Sequence, residues 1–161
     1  MNAPLPDKPK DAVKSMQILF MALVAGMLML AIVFIVLNLL ADAPLKSDKE
    51  FFRIILTVVL FTSTILLTIG DKIFRKRITA AREAGVSLIG KLHQYRAALL
   101  LYIALAEAAG LFALIIYFLT ANKLMLVAAG LTLIAMFLKR PEKSKIFNDL
   151  QLSSQEQSEL N

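Results

Sequence analysis

Glu107 is the residue whose type and position are best suited to chemistry. It is the only formally charged side chain in the middle of a long apolar stretch, within residues 95–120. If this stretch crosses a bilayer, the carboxyl group lies near the midplane, where a charge costs on the order of 3 kcal/mol. Ionisable side chains at that depth usually face neighbouring helices or a polar cavity. Glu107 is therefore predicted to bind a proton or a cation, or to join two helices through a hydrogen bond.

Three hydroxyl side chains are expected at the same depth as this carboxyl group. Thr62 and Ser63 lie near the centre of the second apolar stretch, and Thr132 lies near the centre of the fourth. No basic residue occurs at that level, and an unpaired carboxylate in a medium of low dielectric constant tends to take up a proton. We therefore predict that a protonated Glu107 makes a structural interhelical hydrogen bond, and the alternative is a proton or cation site that Glu107 forms with the three hydroxyl groups.

The composition excludes several other kinds of site. The chain has no cysteine, which rules out disulfides, thiolate metal sites and a cysteine nucleophile. It has one histidine, His93, so a single chain cannot form a histidine-rich metal site. The sequence shows no nucleophile and base pair and no glycine-rich phosphate-binding loop. We therefore predict that the protein is not an enzyme and holds neither a resident metal nor a cofactor.

Four almost uniformly apolar blocks must position these side chains. A spanning helix needs about 20 apolar residues, so the first three blocks qualify and the fourth is slightly short. Helices are expected because a spanning segment must satisfy its own backbone hydrogen bonds. The sequence predicts an all-α protein whose membrane domain, residues 15–140, is a bundle of four transmembrane helices. The blocks are 17–40, 52–70, 97–119 and 124–138, and the expected helices cover about 15–41, 50–84, 88–120 and 122–140.

Polar segments flank and interrupt this domain. Residues 1–14 combine three prolines with charged residues, a composition that favours a disordered tail. Residues 71–94 carry apolar residues at helical spacing, with a stop signal at Gly85 and a cap at Ser87. The second and third helices are therefore expected to extend beyond the membrane. Residues 141–161 are expected to form a cytoplasmic tail with one short helix.

Lysine and arginine are distributed unevenly over the connections. The N-terminal tail has three, the 71–96 connection seven and the C-terminal segment four, against four in the two short loops. Cytoplasmic loops of membrane proteins carry such an excess. Both termini and the long connection are therefore expected in the cytoplasm.

The long connection contains a basic run that allows two interpretations. The run can contact anionic lipids or a partner protein, or it can simply determine the topology. Nucleic-acid binding is not expected, because no base-stacking or groove-reading motif accompanies the charge. The residues of this run are Lys72, Arg75, Lys76, Arg77 and Arg82.

Two resemblances to known families add to these predictions. The Ala104–Gly110 stretch around Glu107 is similar to the ion-binding helix of rotary ATPase proteolipid subunits, although those hairpins lack the long basic connection found here. Residues 95–152 resemble a family of small four-helix membrane proteins of Bacteroidetes, for which no activity is assigned. The second resemblance implies an intact protein of the bacterial inner membrane. It rests on Tyr95-Arg96-x-Ala98, Ala104-Leu105-x-Glu107, Tyr117-x-Leu119-Thr120, Arg140-Pro141-x-Lys143-x-Lys145 and Asp149-Leu150-x-Leu152.

Two functions are consistent with these features. The first is a structural or accessory subunit of a membrane complex, because the chain is small and carries stripes of small residues that allow close helix packing. The second is a small proton- or cation-coupled transporter, or a channel-like oligomer, that uses Glu107. The expected partners are the lipid bilayer and either further copies of the chain or heterologous membrane subunits.

Overall fold

The computed structural model describes residues 9–40 and 49–160, and over these ranges the chain is all-helical with no strand. Six helices are present in this described part. The predicted all-α class is confirmed for these residues. The helices are α1 (Pro9–Leu40), α2 (Lys49–Glu83), α3 (Leu88–Thr120), α4 (Lys123–Phe137), α5 (Lys143–Leu150) and α6 (Ser154–Leu160).

The first three helices are long and apolar enough to cross a membrane. α1, α2 and α3 have 32, 35 and 33 residues. At 1.5 Å per residue each is roughly 50 Å long, which exceeds the hydrocarbon thickness of about 30 Å. α4 is also apolar but has only 15 residues. The three long helices indicate a membrane protein.

The hairpin between α2 and α3 confirms both predicted boundary signals. Gly85 adopts a positive φ of 58° two residues after α2 ends, a conformation that glycine reaches without steric cost. The Ser87 hydroxyl caps α3 by accepting a hydrogen bond from the Gly90 amide at 3.4 Å. These two residues reverse the chain within a few positions, so the polar halves of α2 and α3 lie side by side.

α1 begins earlier than the sequence predicts. The helix starts at Pro9, where proline is favoured because the first helical residue needs no amide donor. Asp11 lies in the first turn, and Ala12 and Val13 are buried. The predicted disorder of residues 1–14 is therefore wrong for 9–14, where burial of Ala12 and Val13 adds to the favourable first-turn residues Pro9 and Asp11. Residues 1–8 lie outside the described part.

α3 is the most enclosed of the long helices and packs against α1, α2 and α4. Buried side chains occur along its whole length, from Leu88 to Tyr117. On α2, Gly70 allows close approach, because a Cβ atom there would lie 3.2 Å from the ring of Tyr102. α1 runs beside α3, and its Asn38 side chain donates to the Tyr117 carbonyl at 3.2 Å. The core of the molecule therefore lies around α3.

The C-terminal segment contains two short helices where the sequence predicts one. α5 packs on α2, and α6 packs on α1. The buried side of α5 carries Ile146 and Leu150. α6 begins with a reciprocal capping box: the Ser153 hydroxyl accepts from the Glu156 amide at 3.3 Å, and Glu156 Oε2 accepts from the Ser153 amide at 2.8 Å. The segment thus folds back onto the basic end of the bundle, the end that holds the start of α1 and the α2–α3 hairpin.

Candidate functional site

Three helices meet at Gly110, in the middle of α3. A Cβ atom at this position would overlap Cε of Met27 on α1 and lie 2.6 Å from Oγ1 of Thr132 on α4. A larger residue here would require these side chains to move. Gly110 therefore lies at a close approach of α1, α3 and α4, three residues from Glu107.

Thr132, one of the predicted site residues, lies inside this crossing. Its residue surface is 1% exposed, and its hydroxyl donates to the Ala129 carbonyl at 2.7 Å. Such a bond to the preceding turn is the usual way in which a threonine satisfies its hydroxyl group inside a helix. The hydroxyl oxygen can still accept a hydrogen bond or contribute to a cation site.

Ser63 is the other fully buried hydroxyl residue of the predicted site. It is 7% exposed, and its Oγ has no hydrogen-bond partner among the described residues. It follows Val59 by one helical turn on the buried face of α2, the face that also carries Gly70 and Phe74. Thr62, the neighbouring residue, is half-buried. An unpaired buried hydroxyl is costly, by about 1–3 kcal/mol, and is the clearest unsatisfied polar group in the described part.

Glu107 lies one turn before Gly110 on α3. At about 100° per residue, it is about 60° around the helix axis from Gly110, which contacts α1 and α4. It is about 160° from Leu105, which contacts Gly70 on α2. Glu107 is half-buried as a residue, and no ion pair of Glu107 occurs within residues 9–40 and 49–160. The structure places Thr132 at the Gly110 crossing, whereas α2 contacts α3 at Leu105, on another side of the helix. The four-residue site stays a prediction.

The predicted basic run lies on the polar half of α2 and is exposed throughout. Arg75 donates to Asp71 at 2.7 Å within the same helix. Arg82 reaches further, because its Nε donates to the Asp149 carbonyl at the end of α5 at 2.6 Å. Lys72, Lys76 and Arg77 are exposed on α2 with no ion pair in the described part. One residue of the run, Arg82, therefore binds the C-terminal segment. The charges of Lys72, Lys76 and Arg77 are free to contact lipids or a partner.

A charged cluster that the sequence analysis did not find joins α2 to the end of α4. Lys139 Nζ lies 2.7 Å from Asp71 Oδ1, and it stands over the rings of Phe74 at 4.7 Å and Tyr102 at 5.5 Å. The Tyr102 hydroxyl donates to the Ala135 carbonyl at 3.2 Å. A cation over aromatic rings is stabilised by their negative faces. The only feature of the sequence that indicates this cluster is Asp71, which directly follows the second apolar block.

A second cluster attaches α5 to the α2–α3 hairpin. The Tyr95 hydroxyl donates to Asp149 Oδ2 at 3.2 Å, although the tyrosine is fully buried. Its ring packs edge-on against Phe74 with the centroids 5.7 Å apart. Asp149 also accepts the bond from Arg82, so it attaches the C-terminal segment to both α2 and α3.

The contact between α6 and α3 is electrostatic. Lys91 Nζ lies 2.7 Å from Glu156 Oε1, and both side chains are mostly enclosed. The hydrogen bond from Lys91 and those from Ser153 hold the pKa of the Glu156 carboxyl below its ordinary range. Glu156 therefore both caps α6 and fixes it to the hairpin.

No metal site and no similarity to a known protein indicates a function for the described residues. Among the described residues, no group of three or more histidine, aspartate or glutamate side chains could hold a metal ion. No protein family, no curated protein and no solved structure matches this chain at a significant level. The function must therefore be argued from the contacts described above.

Proposed function

We propose that the chain is a multi-pass protein of the bacterial inner membrane, built as a bundle of four transmembrane helices. α4 measures about 22 Å, and basic side chains at its ends extend its reach because their apolar stems can lie along the interface. Gln17, near the start of α1, donates to the carbonyl of Pro141 at 2.9 Å. This bond puts the beginning of the first helix and the end of the fourth at the same end of the bundle, as an even number of crossings requires.

The basic end of the bundle is the cytoplasmic end in this proposal. It holds the start of α1, the polar halves of α2 and α3, and both C-terminal helices. An excess of lysine and arginine is retained on the cytoplasmic side during insertion. Both described ends of the chain, at Pro9 and Leu160, then lie in the cytoplasm.

The role that we propose is that of a structural or accessory subunit of a membrane complex, with no enzymatic activity. The observation that carries it is the sparse internal packing of the other halves of α1 and α2. Residues 28–40 and 50–58 contain no fully buried side chain, and Ile32 and Ile54 are 61% and 62% exposed. Side chains such as Phe34 pack against the core from one side of these halves, and the opposite apolar side is free to contact partner helices within the bilayer.

Site-specific photo-crosslinking in the native membrane tests this role. A photoreactive amino acid at Ile32 or Ile54 is expected to give one discrete protein adduct of constant mass. The matched control is Ile69, which is also exposed but lies towards the polar half of α2; it is expected to give lipid adducts only. Lipid adducts at all three positions, together with a monomer in native mass spectrometry, would remove the basis for the subunit role.

A second candidate function rests on Glu107. A half-buried glutamate one helical turn from the crossing of α1, α3 and α4 has the position expected of an intramembrane proton or cation site. In this alternative the protein is a small proton- or cation-coupled transporter or a channel-like oligomer. The hydroxyl groups of Thr62, Ser63 and Thr132 would complete the site after a change in helix rotation.

Flux measurements on proteoliposomes separate the two candidates. The transport function predicts proton or sodium flux that depends on pH and falls at least tenfold in Glu107→Gln, a change that keeps the side-chain shape. Thr64→Ala is a matched control, because Thr64 is exposed on α2 and bonds only to its own helix. Equal flux in the wild type, in Glu107→Gln and in empty liposomes would eliminate the transport function and leave the subunit role.

A further inference from the structure

A groove between α1 and α3 lies at the basic end of the bundle, away from the sites described above. Its volume is about 400 Å³. One wall is the exposed side of the first half of α1, and the other is contributed by α3. The lining residues are Asp11, Lys14, Ser15, Ile18, Leu19, Ala22 and Arg96.

The chemistry of the groove changes in a fixed order along α1. The residues nearest the helix start are polar, and those from Ile18 to Ala22 are apolar. The change is completed within 11 residues from Asp11 to Ala22, or about 16 Å of helix. A phospholipid at the edge of a bilayer presents the same order over a similar distance, with a charged headgroup followed by acyl chains.

Two cations from different helices flank the polar end. Lys14 and Arg96 both line the groove, and neither takes part in an ion pair in the part of the chain that the structure describes. Asp11 supplies one carboxylate, so the groove has a formal charge of +1. A guanidinium group presents a planar fork of donors that matches phosphate oxygens, and a lysine adds a point charge. The polar end is therefore suited to a phosphate group.

The apolar end continues as open surface towards the middle of the membrane. Ala22 and Gly26 are exposed one turn apart, and a Cβ atom at Gly26 would meet nothing within 4 Å. These small residues leave a shallow track along α1. An acyl chain that starts at Ile18 can extend along this track.

We propose that this groove binds one anionic phospholipid, with its phosphate between Lys14 and Arg96 and an acyl chain along Ile18 and Ala22. A second copy of the chain fits the groove less well, because a two-fold interface would bring the same two cations against each other. The site rests on the membrane insertion proposed above. It is separate from the basic run on α2, which supplies no lining residue.

Native mass spectrometry of protein released from nanodiscs tests the headgroup contact. The nanodiscs contain equal amounts of phosphatidylglycerol and phosphatidylcholine. The wild type is expected to retain one phosphatidylglycerol with about a tenfold or larger preference, as two basic contacts near a membrane surface would produce. The preference is expected to fall below about threefold in Lys14→Gln/Arg96→Gln, on the same grounds. It is expected to persist in Lys72→Gln/Lys76→Gln, which removes the same charge from exposed positions on α2.

A second pair of variants tests the acyl track. Ala22→Phe fills the groove and is expected to abolish retention of the lipid. Ala108→Phe is the control, because Ala108 is exposed on α3 and does not line the groove. Normal retention in Ala22→Phe would overturn the proposed position of the acyl chain.

Three further outcomes have distinct meanings. Loss of the preference in both double variants alike would reduce the site to general charge attraction and overturn the proposal. A lipid-free dimer that dissociates in Lys14→Gln/Arg96→Gln would assign the groove to a second copy and also overturn it. Alkaline carbonate extraction of the wild type from membranes reports on membrane insertion alone. Release of the protein would refute the proposed insertion. A protein that stays in the membrane but shows no lipid preference would refute only the lipid site.

Discussion

Lys139 Nζ and Asp71 Oδ1 lie 2.7 Å apart and join the end of α4 to the middle of α2. The two residues are 68 positions apart in the chain, and both side chains are partly enclosed. The same lysine stands over two aromatic rings, so one cation connects α2, α3 and α4 at the level where the apolar helices become polar.

We expect Lys139→Gln to destabilise the protein by about 1–3 kcal/mol, since it leaves the Asp71 carboxylate without its interhelical partner. Arg75→Gln removes the other partner of the same carboxylate. It is expected to cost less than about 1 kcal/mol, because the Arg75 side chain is 76% exposed. Thermal unfolding in detergent, followed by tyrosine fluorescence, measures both changes. Equal destabilisation by the two substitutions would show that the interhelical pair contributes no more to the free energy of unfolding than the exposed pair within α2.

The crossing at Gly110 predicts a strong dependence on side-chain size. Gly110→Ala should destabilise the bundle by about 1–3 kcal/mol, because the added methyl group overlaps Met27 and lies against Thr132. Gly26→Ala is the matched control on α1; it meets open space and is expected to be neutral or stabilising by up to about 1 kcal/mol. Urea denaturation in detergent micelles compares them. A Gly110→Ala variant as stable as the wild type would mean that α1, α3 and α4 are not packed this closely.

Tyr95 is expected to control attachment of the C-terminal segment. Tyr95→Phe removes the hydroxyl that donates to Asp149, a charge-assisted bond worth about 1.5–3 kcal/mol. The result should be faster hydrogen exchange across residues 143–160, with unchanged exchange in α3. Tyr117→Phe is the control, since Tyr117 packs at the opposite end of α3. Unchanged exchange in residues 143–160 would show that other contacts suffice to hold the segment.

The contact between Lys91 and Glu156 predicts a pH dependence. Because the pKa of the Glu156 carboxyl is lower in the folded protein, its stabilising contribution is fully present above the ordinary glutamate value of about 4.3. The contribution is lost as the pH falls through the lowered value. Protection of α6 in hydrogen exchange should therefore decrease below about pH 4.3 in the wild type. In Glu156→Gln, protection should be low and nearly independent of pH, and a parallel decrease in both proteins would point to a different titrating group.

The sequence was sufficient to predict the elements that depend on local chemistry. The hairpin between α2 and α3 agrees with the structure because the glycine stop at Gly85 and the serine cap at Ser87 act on neighbouring residues. The start of α1 was predicted six residues too late, since its first turns are held by burial as well as by their own composition.

The long-range contacts could not be predicted in the same way. The pairing of Asp149 with Tyr95 and of Lys139 with Asp71 depends on helix rotation and on the return of the C-terminal segment. Neither property leaves a pattern in a single sequence. The sequence predicts similar depth for Glu107 and the three hydroxyl residues Thr62, Ser63 and Thr132, but depth does not determine which neighbouring helix each side chain faces.

The central claim is that α3 crosses the membrane with the basic end of the bundle in the cytoplasm. Because the natural chain has no cysteine, single cysteines can be introduced at Lys76 and Lys123, which are exposed beyond opposite ends of the apolar core. In intact spheroplasts, a membrane-impermeant maleimide is expected to label Lys123→Cys at once and Lys76→Cys only after lysis. Equal labelling of the two variants in intact spheroplasts would contradict the proposed crossing and the topology built on it.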